Sequence, residues 1–194
     1  MSKFRKLEKS TIQKINQLQD FHVFTGFSYD RYEKMVKAGY EKGSVYNTRT
    51  DTSVKEIELS KILFTYLDRE LPKIVIYQLV SYLDDFFIEF LGLLMLKQTI
   101  NIENNFKDFR SKMNIANITP IDESSLIELR ESRHIIAHRS GIADISYIKN
   151  AGSAARASLN NLLTFDRPYV YDSADFLKRI IHSLTKAAID ARYS

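Results

Sequence analysis

From Ile74 to Leu96 the chain reads IVIYQLVSYLDDFFIEFLGLLML, apolar on most of a helical circumference and interrupted by Asp84, Asp85 and Glu89 near its middle. A helix of that kind must be covered by protein or by lipid. The three acids deny it the run of about 18 apolar residues that a membrane span needs. The remaining segments must therefore wrap it. Their apolar residues recur at helical rather than alternating spacing: Leu7, Ile12, Ile15, Leu18 and Phe21 early on, then Ile57, Leu59, Ile62, Leu63 and Leu67. These patterns predict an all-α fold, a helical bundle with a long apolar central helix and additional N-terminal helices. A chain of 194 residues suits one domain with a core of its own.

Local signals place the elements. One helix covers Leu7 to Phe21 and a shorter one about Tyr29 to Tyr40, while EKGSVYNTRTDTS (41–53) is expected as an exposed loop. Pro72 is expected to break the third helix and to sit in the first turn of the fourth, which runs to about Gln98. NNFKDFRSKMNI (104–115) has the pattern of a short amphipathic helix. Thr119 is a helix cap, Pro120 a first helical residue, and Asp122 and Glu123 are acids in a first turn, so another helix starts there and ends at Gly141. The stretch 150–171 is expected as loop, with a short extended piece at Pro168 to Tyr171. Asp172 then caps a last helix whose inner side carries Phe176, Ile180, Ile181 and Leu184.

Composition removes several function classes. The chain has no cysteine, so disulfides, thiolate metal sites and thiol nucleophiles are excluded. Lys and Arg exceed Asp and Glu by 28 to 24, with a pI near 9.1, a mild bias toward polyanionic partners. MSKFRKLEKSTIQKINQLQDF has lysines throughout and no signal-peptide core, so a cytoplasmic protein without membrane attachment is expected.

The densest chemistry lies in ESRHIIAHRSG, 131–141. Arg133 and His138 are five residues apart, about 140° around the axis and roughly 7.5 Å along it, so they can line one groove without sharing a face. Arg130 stands near Arg133 and His134 on a neighbouring ridge. A permanent guanidinium beside an imidazole is the minimum set for breaking an RNA phosphodiester without metal. Histidine moves the proton of a 2′-hydroxyl or of the leaving oxygen, and arginine stabilises charge on phosphate. The bland reading is a set of cations at the negative end of a helix dipole.

The string ELRESRHIIAHRSGIADISYI resembles the signature of the HEPN superfamily, whose ribonucleases carry Arg, four to six residues, then His near a helix end; here Arg133, HIIA and His138 match. The resemblance covers about Ile74 to the C-terminus, which implies an N-terminal helical elaboration (1–70) on a HEPN-like core (71–194). It implies a metal-independent endoribonuclease, without cofactor, that leaves a 2′,3′-cyclic phosphate, with Arg133 and His138 catalytic. It also implies a homodimer through the motif helix and a role as a toxin or antiviral effector held by an antitoxin or other regulatory protein. Many active members have a small polar residue after the arginine; this chain has His134, which takes a supporting or phosphate-orienting role. SYLDDFF is similar to the segment from which an acid reaches the family's arginine, so Asp84 is a supporting candidate. Arg130 and Tyr147 are candidates for phosphate contact, Tyr147 equally for anchoring the chain. Asp144 is read as a cap, and Asp85 and Glu89 as a solvated stripe.

Two rivals remain. His134 and His138 at i, i+4 could share a metal, but the zincin pattern needs glutamate at the position of Ile135. A non-catalytic HEPN module binding RNA, nucleotide or protein is the other.

Overall fold

A computed structural model describes residues 2–38, 44–47, 49–94 and 118–191. The elements are α1 (Lys3–Lys37), β1 (Ser44–Asn47), β2 (Thr52–Lys55), α2 (Glu56–Thr65), a π-helical turn (Tyr66–Glu70), α3 (Leu71–Leu93), α4 (Pro120–Arg139), α5 (Ile145–Ala151), a 3-10 turn (Gly152–Ala154) and α6 (Arg167–Asp190). The described residues are mostly helical, and no helix among them is long and apolar enough to cross a membrane.

α3 buries Val75, Ile76, Leu79, Val80, Leu83, Phe86, Phe87 and Phe90, and α1, α4 and α6 all pack on it. Phe90 is the pivot of this contact. Its ring stacks on Phe86 at 5.2 Å and meets Phe4 of α1 edge-on at 5.3 Å. Asp85 and Glu89 are exposed on the remaining stripe. From α6, Ile180, Ile181 and Leu184 close the core, with Phe176 packed at its margin. Phe4, Leu7 and Ile15 of α1 belong to the same cluster.

Several elements differ from their sequence reading. The two expected N-terminal helices are one, since nothing between Phe21 and Tyr29 competes with helix and Gly26 is used instead for close approach. A Cβ at Gly26 would lie 3.1 Å from the Arg167 guanidinium. The expected loop at 41–53 holds an antiparallel hairpin pairing Ser44 with Lys55 and Asn47 with Thr52, with Asp51 left-handed (φ +54°) in the turn. Pro72 stands in the first turn of α3, as expected, but α2 already ends at Thr65, ahead of it. The wider π turn over Tyr66–Glu70 precedes it and relieves the clash between a proline ring and the carbonyl four residues back. Pro168–Tyr171 is helical rather than extended, because Asp166, not Asp172, caps α6. The Asp166 carboxylate accepts the Tyr169 N–H at 2.9 Å, with Pro168 in the first turn. The helix expected at 104–115, and residues 95–98 at the expected end of the fourth helix, lie outside the described residues.

Candidate nucleic-acid site

α4 carries the site, and both of its ends are pinned. At its start the Thr119 side chain accepts the Asp122 N–H at 3.2 Å and the Asp122 carboxylate accepts the Thr119 N–H at 2.8 Å, a reciprocal capping box. Arg179 of α6 donates to the same carboxylate, which holds the Asp122 carboxyl below its ordinary pKa. At its end Ser140 is left-handed (φ +53°) and Gly141 follows at φ +86°, its N–H donating to the Ile135 carbonyl at 3.0 Å. Between the ends, Leu129, Ser132 and Ile135 are buried and set the rotation of the helix. His134 and His138 are thereby exposed and Arg133 half-buried.

Asp84 of α3 accepts from Arg133 at 2.5 Å, with their side chains 27% and 31% exposed. Tyr77, two turns earlier on α3, lies under the same guanidinium, its ring centre 4.9 Å from Cζ. Arg133 is therefore fixed by a carboxylate and by an aromatic face. Burial pushes the Asp84 carboxyl above its ordinary range, against the pull of Arg133 and Arg130. The His134 and His138 rings are neighbours, 4.8 Å between centres. With Arg130 and Glu131 of α4 and Ser146 and Asn150 of α5, these side chains line one open groove of about 480 Å³.

Of the residues singled out from sequence, Arg130, Arg133, His134 and His138 share this groove, and Asp84 joins it through Arg133. Tyr147 does not. It is fully buried, its hydroxyl donates to Glu128 at 2.9 Å and accepts the Arg156 N–H at 2.9 Å, and burial pushes its pKa up to about 12. Tyr147 therefore anchors α5 to α4 and is placed away from any phosphate in the groove. Asp144 caps α5, accepting the Tyr147 N–H at 2.8 Å. Arg156 is committed to Glu128, Ser132 and the Thr164 carbonyl, and its Cζ lies 3.5 Å from the Tyr169 ring centre. Glu128 takes four donors, from Ser132, Tyr147, Arg156 and Tyr169, which satisfies a buried carboxylate and clamps the 152–166 segment onto α4.

Tyr77, Ser146 and Asn150 were not legible as site residues. Tyr77 carries a sequence signal in hindsight: it stands seven residues before Asp84, two helical turns along the same face of α3. Ser146 and Asn150 reach the groove through the direction the chain takes after Gly141, which no local pattern specifies. Among the described residues, no group of three or more His, Asp or Glu side chains is placed to hold a metal ion. No family model, curated protein or solved structure matches the chain.

Proposed function

We propose that the chain is a metal-independent endoribonuclease of HEPN type. The observation that supports this reading most is the Asp84–Arg133 pair, presented beside His134 and His138 in one open groove. In the reaction, the 2′-hydroxyl loses its proton, its oxygen attacks the adjacent phosphorus, and the 5′-oxygen leaves and takes up a proton. The products are a 2′,3′-cyclic phosphate and a 5′-hydroxyl. Arg133 faces the phosphate and offsets the charge that grows on its non-bridging oxygens. Asp84 and Tyr77 restrict the guanidinium to one orientation, which lowers the reorganisation needed in the transition state. His138 moves the proton and His134 orients the phosphate, while Arg130 steers the polyanion toward the groove.

One protomer offers one such histidine cluster, and each cleavage needs a proton removed and a proton supplied. A homodimer through the α4 face supplies a second copy to a shared cleft. An RNA-cutting groove open to solvent calls for restraint in the cell, which fits a toxin or defence effector held by an antitoxin or regulatory protein.

The test is cleavage of a mixed RNA pool in EDTA by wild type, Arg133→Ala and His138→Ala at matched purity and oligomeric state. The expected result is cutting by wild type and its loss, by roughly 10²-fold or more, in either variant. A folded wild type that cuts nothing supports the other reading, a non-catalytic module that binds RNA, nucleotide or protein.

A further inference from the structure

His134 and His138 have a geometry that proton transfer does not require. Their ring centres are 4.8 Å apart and their planes meet at 51°. Two imidazoles sharing one tetrahedral cation at a metal–nitrogen distance of about 2.0–2.1 Å have ring centres about 5 Å apart. The rings already stand near that separation, one helical turn apart and exposed on the same wall of the groove. Among the described residues neither imidazole has a hydrogen-bond partner, so their nitrogens are open to a ligand. The surrounding charge does not expel a cation outright: Arg133 is paired with Asp84, and Glu131 lines the same groove as Arg130.

We propose that His134 and His138 form a two-imidazole site for a divalent transition ion of the zinc, nickel or copper class. Imidazole nitrogen selects these ions over magnesium and calcium, which take oxygen ligands. With two protein ligands, water completes the coordination, so the ion is exchangeable rather than a resident cofactor. Its consequence rests on the ribonuclease reading: a nitrogen lone pair bound to metal can neither take a proton nor carry one, so the bound ion shuts the site. The pair is then a brake on cleavage that responds to free zinc.

Calorimetric titration with zinc chloride, in a non-chelating buffer at neutral pH, tests the site directly. Wild type is expected to bind one zinc per protomer and to give no comparable heat with magnesium chloride. His134→Ala and His138→Ala should each weaken zinc binding at least about tenfold, since even an outer-shell partner contributes that much. Both positions are exposed, and His134→Gln and His138→Gln repeat the test should either alanine variant misfold. Unchanged zinc affinity in both single variants, or equal binding of magnesium, overturns the site. Cleavage by wild type should fall along the same zinc titration, and cutting that persists at saturating zinc overturns the brake. Zinc bound at the pair in a protein that cuts no RNA upholds the metal site while removing the ribonuclease reading.

Discussion

At the scale of single residues, Arg133 and Asp84 carry the most specific consequence. Folding raises the Asp84 carboxyl pKa, chiefly by burial. The sign follows: stability linked to this group is present below its unfolded pKa, near pH 4, and is lost as pH rises through the folded value. Burial of the charged carboxylate therefore opposes the fold as pH rises, while its bond to Arg133 favours it. Asp84→Asn is predicted to keep or raise the urea midpoint at pH 7 while lowering RNA cleavage by roughly 10- to 100-fold, the range for loss of a group that orients another. A residue kept only for packing would lower the midpoint and leave the cleavage rate per folded molecule alone. Tyr147 should behave in the opposite way. Tyr147→Phe removes a buried hydroxyl bonded to Glu128 and Arg156 and should reduce stability by about 1–3 kcal/mol in urea unfolding, with little change in cleavage. Sequence singled out Arg133 and His138 through the string around them, since their spacing alone reads equally as cations at a helix end. It left Tyr147 with two roles, because a tyrosine after a glycine turn reads the same whether its hydroxyl meets phosphate or a buried carboxylate.

At the scale of elements, helix starts were readable where the cap lay beside an apolar pattern and were missed where it did not. Thr119-Pro120 and Asp166-Arg167-Pro168 carry the same logic of a capping oxygen and a proline in the first turn. The second was obscured by NAGSAARASLNNLLTF before it, which has no period to announce a helix. The hairpin was missed because its paired strands are four residues each, too short for alternation to stand out from a loop rich in Thr and Ser. The α4 cap gives an element-level test. Thr119→Ala should reduce stability by about 0.5–2 kcal/mol, read in thermal or urea unfolding. Asp122 is held below its usual pKa, first by the Arg179 hydrogen bond. Its contribution is therefore complete above the unfolded pKa near 4 and is lost as pH falls through the folded value. Asp122→Asn should accordingly show its largest deficit relative to wild type at neutral pH and a shrinking one as the pH drops below about 4.

For the whole molecule, α1, α3, α4 and α6 share one buried core among the described residues. Sequence showed that the 74–96 stretch must be covered, but not which segment covers it; contact between Phe4 and Phe90 links positions far apart in the chain. Ile15, fully buried on α1, reports on this. Ile15→Ala should lower stability by about 2–5 kcal/mol within a single cooperative unfolding transition, followed by far-UV circular dichroism. A separable N-terminal unit would show instead a second, earlier transition. The same packing holds α3 against α4 and so brings Asp84 to Arg133, which ties the geometry of the groove to the integrity of the whole bundle. The most direct measurement of what that groove does is the chemistry of RNA ends after incubation with purified wild-type protein in EDTA. The expected products are fragments ending in 2′,3′-cyclic phosphate with 5′-hydroxyl partners, formed without added metal. Intact RNA, or fragments with 5′-phosphate ends that require a divalent ion, would contradict the proposed function.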